Sequence, residues 1–199
     1  MAELLLYHHV QGLTAGVASF ADELRRAGHT VHTPDLFDGR TFDTIEDGMA
    51  FAREAGFGAL VERGLAAAEG IRDDAVYAGI SFGVMAAQQL AQTRPGAGGA
   101  LLLSGCLPVS EFGDAWPDGV PVQIHGKESD PFFDEDLEAA RELAGSTDRA
   151  ELFLYPGEEH LFADSSLPSY DPAAAALLTE RVLTFLSAVR ADAKRAVAG

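Results

Sequence analysis

Three residue types in this chain could together perform nucleophilic catalysis, and the first is a serine. Gly79-Ile80-Ser81-Phe82-Gly83 places Ser81 between two glycines, after the apolar run Ala75-Val76-Tyr77-Ala78 and before Val84-Met85-Ala86-Ala87. A strand before this pattern and a helix after it make a nucleophile elbow, the sharp turn that lifts a hydroxyl above a sheet. The glycines answer to the strained backbone at the serine, across which bulkier neighbours would clash. The helix that follows points its N-terminus at the reacting centre and favours negative charge developing there.

A serine hydroxyl is a poor nucleophile at neutral pH and needs an adjacent base. The chain order expected around such an elbow is serine, acid, histidine. Of the six histidines, His8 and His9 precede the serine. His29 and His32 lie in or beside a strand, and His125 ends one. His160, in the loop Pro156-Gly157-Glu158-Glu159-His160, is the one that follows both the serine and a suitable acid. That acid is expected to be Asp130, past the strand Val120 to His125, where it would fix the imidazole tautomer; Glu128 competes for the role. Asp134 and Asp136 suit a helix N-terminus. An oxyanion needs two backbone donors, expected from the amide of Phe82 and from the loop after the first strand, at Val10 with Gln11 as the next choice.

Around these, the side chains of His9 and Gln11 are candidates for the pocket mouth, unless His8 and His9 simply finish a strand. Phe37, Trp116 and Phe132 are candidate pocket walls, although aromatic residues more often serve packing. Cys106 has no elbow around it and reads as a buried structural thiol. There is no zinc-spaced His/Cys cluster and no phosphate-binding loop. Gly96-Ala97-Gly98-Gly99 precedes a strand instead of following one, so it is not a dinucleotide fingerprint. No metal or organic cofactor is expected.

The elements that must position these residues alternate. Strands are expected at Leu4 to His9, His29 to Thr33, the run before Ser81, Ala100 to Ser104, Val120 to His125 and Glu151 to Tyr155. Helices are expected after Thr14, over Thr44 to Ala55 and Phe57 to Glu69, from the elbow to about Thr93, over Phe133 to Leu143, and from Asp171-Pro172 to the end. The strands are nearly continuous in apolar residues, which points to an α/β fold with a mostly parallel sheet covered on both faces. Ligands of such sheets bind beyond the carboxyl ends of the strands, where every candidate residue lies.

With 199 residues, 47% of them hydrophobic, one domain over 1–199 with a substantial core is expected. The net charge of −17 disfavours nucleic acid and anionic membranes as partners. One cysteine excludes an internal disulfide and, with no basic leader segment at the N-terminus, points to the cytoplasm. No stretch is expected to reach the length needed to span a membrane.

Taken together, the motifs resemble the dienelactone hydrolase family of α/β-hydrolases. Gly79-Ile80-Ser81-Phe82-Gly83, Pro34-Asp35-Leu36, His125-Gly126-Lys127-Glu128-Ser129-Asp130, Tyr155-Pro156-Gly157-Glu158-Glu159-His160-Leu161-Phe162 and Tyr170-Asp171 all match its pattern, over nearly the whole chain. The resemblance implies an α/β-hydrolase fold without a large lid, a Ser81, Asp130, His160 triad, and cleavage of a small ester or lactone. A catalytically idle fold of this type that binds a small ligand for signalling is the alternative. The chain departs from the founding enzymes in three places. Those enzymes use cysteine where Ser81 stands, carry an acid in the loop that here reads His9-Val10-Gln11-Gly12, and hold a substrate carboxylate with an arginine just after the histidine. Here Asp164 takes that arginine's place, which implies a neutral acyl group; Lys127 or Arg40 would have to substitute for the arginine. The oligomeric state is left open.

Overall fold

Both faces of the strands are apolar, and in the folded chain both are covered. A computed structural model of the protein describes residues 1–198. Six strands form one sheet: β1 (Glu3–Tyr7), β2 (Thr30–His32), β3 (Val76–Ile80), β4 (Gly99–Leu103), β5 (Val122–Lys127) and β6 (Ala150–Tyr155). Their order is β2-β1-β3-β4-β5-β6, and every pairing is parallel. Side chains alternate across a strand. Leu4, Leu6, Val76, Ala78, Leu101 and Leu103 therefore face one helix layer, made by α1 (Ala15–Arg26) and α6 (Pro172–Ala198). Leu5, Tyr7, Tyr77, Leu102, Val122 and Ile124 face the other. That layer holds α2 (Ile45–Ala55), α3 (Phe57–Ala66), α4 (Val84–Thr93) and α5 (Leu137–Ser146).

The chain runs outward from β1 to β2, then crosses back to β3 and continues to β6. The sheet thus reverses direction between β1 and β3, and a crevice opens there beyond the strand ends. The loops after β1, β3, β5 and β6 all emerge on this side.

Four sequence expectations change. Expected ends shift because propensity does not say where ladder bonding stops. His8 and His9 lie beyond β1, α5 begins four residues later than expected, and β5 runs on to Lys127. Lys127 is consequently a strand-end residue. The fourth change concerns α6: by length and composition alone its Pro172–Val189 segment could cross a bilayer. In the fold its stripe of Leu178, Val182 and Leu186 is fully buried with the sheet, the ordinary position of a helix lying along a core. The sequence does predict its start: both the Ala173 and Ala174 amides donate to Asp171 Oδ1, at 3.0 and 3.1 Å.

Inside β5 the imidazole of His125 is fully buried. Its Nδ1 lies 2.9 Å from the Tyr155 hydroxyl and its Nε2 3.3 Å from Gln123 Oε1. Burial, helped by the nearby Arg181 guanidinium, pushes its pKa from 6.5 down to about 3. His8 is lowered by burial to about 4. An unfolded chain binds protons at these histidines below about pH 6.5 while the folded chain does not, so stability falls as pH drops through that window. Melting temperature followed by calorimetry from pH 7.5 to 5 is expected to decline on the acid side, with a shallower slope for His125→Gln. Equal slopes for the two proteins would contradict this account.

Candidate active site

Ser81 sits at the carboxyl end of β3, in a single 3-10 turn, Ser81–Gly83, that runs straight into α4. Its φ of +49° is a left-handed conformation that side chains other than glycine rarely adopt, at a cost of roughly 1–3 kcal/mol. The flanking glycines have steric causes. A Cβ on Gly79 would strike the backbone of Gly83 and Val84, and one on Gly83 would strike the carbonyls of Tyr7 and His8. The elbow is thus packed directly on the end of β1. Phe82 is backed by Phe37 and Phe57, at ring-centroid distances of 5.8 and 6.0 Å.

The structure brings Ser81, His160 and Asp130 together. Ser81 Oγ is 2.8 Å from His160 Nε2. His160 Nδ1 is 2.6 Å from Asp130 Oδ2. Asp130 is 1% exposed, and its other oxygen accepts the Phe132 amide at 2.9 Å. Glu128, the competing acid, is exposed, with its amide bonded to the Tyr155 carbonyl. A cavity of about 480 Å³ opens over Ser81. Val10, Phe82, Phe132 and His160 line it, with Phe57 and Met85 among its apolar walls. The Phe132 ring lies 4.9 Å from the His160 ring.

Other candidates lie elsewhere. The Gln11 amide donates to His9 Nδ1 at 3.2 Å, and its side chain to the Phe42 carbonyl at 2.9 Å, so both are engaged away from the cavity. His9 is wholly buried and does not form the pocket mouth. Phe37 is also wholly buried, edge-on to His8 and Phe51 behind Phe82, so it is a support and not a wall. Trp116 lies in a separate groove with Pro108, Val109 and Leu143, its indole N–H donating to the Val120 carbonyl at 2.8 Å.

The charged residues also differ from expectation. Asp164 is 3% exposed and bonded to His9, Thr14 and Ser166, so it presents no charge to an incoming acyl group. Lys127, 2% exposed, holds the Pro156 carbonyl at 2.7 Å and Asp171 at 2.5 Å. It ties the His160 loop to the start of α6 and is no carboxylate clamp. The Arg40 guanidinium lies over the Phe51 ring. The cation that does line the cavity is Arg53, with Glu46, Glu135 and Asp136.

Sequence reasoning missed the wall made by Ser104-Gly105-Cys106-Leu107. Ser104 has a φ of +53°, and its hydroxyl donates to the His160 carbonyl at 2.6 Å. Gln88 holds both the amide and the carbonyl of Leu107, at 3.0 and 2.8 Å. Asp136 accepts the Cys106 amide at 3.1 Å. Burial raises the Asp136 carboxyl above its ordinary range, opposed by that amide. It also raises the Cys106 thiol to about 12, with Asp136 adding to the effect, so the thiol stays protonated and unreactive at neutral pH. The signal available was a second small-residue turn, Ser104-Gly105, ending a strand next to the elbow strand.

A family model described as the dienelactone hydrolase family matches residues 3–190. A comparison with curated proteins finds no match to this sequence. Among solved structures, the chain is similar to a dienelactone hydrolase-like promiscuous phosphotriesterase from metagenomic libraries, with a TM-score of 0.75 and 18% identity, over 95% of this chain and 87% of that one. A dienelactone hydrolase from Anabaena variabilis aligns with a TM-score of 0.68 and 15% identity, covering 94% and 86% of the two chains. An esterase from Pyrobaculum calidifontis aligns with a TM-score of 0.67 and 15% identity, covering 96% and 77%. At such identities these structures establish the α/β-hydrolase fold.

Proposed function

The chain belongs to the dienelactone hydrolase family, and on that premise we propose that it is a serine hydrolase cleaving small neutral esters or lactones through an acyl-enzyme. One observation carries the reading: the unbroken contact from Ser81 through His160 to Asp130 beneath an open cavity. His160 Nε2 takes the serine proton as Oγ attacks the carbonyl carbon. The charge that develops on the carbonyl oxygen is met by the Phe82 amide, in the turn that leads into α4, and by the Val10 amide. Collapse expels the alcohol, which leaves with the proton from His160. Water, activated by the same imidazole, then releases the acid.

The choice of a neutral acyl group now rests on the cavity and not on Asp164. Three carboxyl residues, Glu46, Glu135 and Asp136, share the lining with one guanidinium, Arg53. An anionic acyl chain would meet more repulsion than attraction, and the repulsion grows where water is excluded. A fluorophosphonate probe is expected to label Ser81, identified by peptide mass. With 4-nitrophenyl esters, kcat/KM for a butyrate is expected to exceed that for the matched hemisuccinate by about tenfold or more. Absence of labelling and of turnover would favour the idle, ligand-binding alternative. Preference for the hemisuccinate at moderate salt would restore a carboxylated lactone as substrate.

A further inference from the structure

Beneath the loop that carries Val10 lies a second imidazole–carboxylate pair that the proposed reaction does not use. His9 and Asp164 are 0% and 3% exposed, and His9 Nε2 is 2.8 Å from Asp164 Oδ2. The Gln11 amide donates to His9 Nδ1 at 3.2 Å. That nitrogen must therefore present its lone pair, which leaves the proton on Nε2 to be donated to Asp164.

Asp164 is itself held on every side. It accepts from the Thr14 hydroxyl, and its Oδ1 accepts from the Ser166 amide and hydroxyl at 2.8 and 2.6 Å. Thr14 in turn caps α1 by accepting the Val17 amide at 3.2 Å. A Cβ on Gly16 would collide with the Asp164 carboxylate. Although burial opposes ionisation, the donors from His9, Ser166 and Thr14 hold the Asp164 pKa down to about 2. The carboxylate is thus an ionised, rigid anchor.

What it anchors is the peptide around Val10. The Gly12 amide closes a turn onto the His9 carbonyl at 3.0 Å, and the Phe42 amide bonds the Gln11 carbonyl at 3.0 Å. On the α2 side, Gly48 has no side chain, which leaves room for the Val10 carbonyl. Of His9, Val10 and Gln11, Val10 is the one that lines the cavity beside Ser81. We propose that His9 and Asp164 are positioning residues for the oxyanion loop: the buried carboxylate fixes the His9 tautomer, and the His9 ring fixes the Gln11 amide and so the direction of the Val10 amide. This rests on the serine hydrolase reading given above.

The test separates the two ring nitrogens. An asparagine at position 9 keeps an acceptor near the place of Nδ1, whereas a glutamine keeps a polar group near the place of Nε2. Wild type, His9→Asn and His9→Gln are compared on 4-nitrophenyl butyrate. For His9→Gln, kcat is expected to fall about 10²-fold, the scale of losing one oxyanion donor, with KM changing by less than about threefold. The loss in His9→Asn is expected to be about tenfold smaller. Equal losses in the two variants, or a loss carried by KM, would overturn the proposal. Long-range nitrogen–proton NMR of the wild type supplies a measurement independent of variant folding. It is expected to show His9 protonated on Nε2, and a proton on Nδ1 would be equally fatal. A wild type that turns over no ester and takes no fluorophosphonate label would instead remove the hydrolase reading, and this inference with it.

Discussion

Replacing Ser81 by alanine is expected to lower kcat for ester hydrolysis by several powers of ten, on the order of 10⁵–10⁶-fold, while leaving KM nearly unchanged. Removing the nucleophile from a triad abolishes the acyl-enzyme path and leaves only the oxyanion donors and substrate positioning, which retain a small residual rate over water. Among the described residues lining the cavity, the other hydroxyl and the thiol are both held back: Ser104 donates to the His160 carbonyl, and Cys106 stays protonated, its pKa raised to about 12. The variant is expected to fold with a melting temperature close to that of wild type. Ser81 holds a φ of +49°, and alanine there adds no new clash beyond the Cβ already present. Loss of activity with an undiminished melting temperature would separate chemistry from folding. Retention of more than about a hundredth of wild-type kcat would mean that Ser81 is not the acylated residue.

The sequence made the sheet and its layers legible because parallel strands buried on both faces must be continuously apolar, and each is here followed by a helix or a Gly/Pro-marked loop. Ser81, Asp130 and His160 were legible for a local reason: each follows a strand within a few residues, and a parallel sheet puts all such loops at one edge. Asp164 was misread because the resemblance set it where the founding enzymes hold a substrate carboxylate with an arginine. Its actual partners, His9 and Thr14, lie some 150 positions away in sequence, a distance over which no local pattern speaks. Phe37 and Trp116 failed similarly, since an aromatic residue in a loop does not reveal which side of the loop it packs on. Lys127 depended on where β5 ends. The Ser104 contact to the His160 carbonyl could be found only by folding, because it joins the backbone of one loop to the side chain of another.

Asp130→Asn is expected to retain the fold and lose about 10⁴-fold in kcat at neutral pH, a loss of the size a wrong tautomer produces in other triads. The direction follows from the Phe132 amide, which donates to Asp130 Oδ1 at 2.9 Å. In the variant that amide still requires an acceptor, so the asparagine carbonyl turns toward Phe132 and its NH₂ toward His160 Nδ1. His160 must then accept at Nδ1, which places its proton on Nε2, facing Ser81 Oγ across the present 2.8 Å contact. A protonated Nε2 cannot take the serine proton. Glu128→Gln, at the exposed neighbouring acid, should leave kcat within about twofold of wild type, because its side chain stands outside the chain of contacts from Ser81 to Asp130. Parallel pH–rate profiles of the three proteins, with melting temperatures as the folding control, decide the matter. If Asp130→Asn kept more than about a tenth of the wild-type rate, or if Glu128→Gln produced the larger loss, the orienting acid would lie elsewhere and the contact between Asp130 and His160 would serve structure alone.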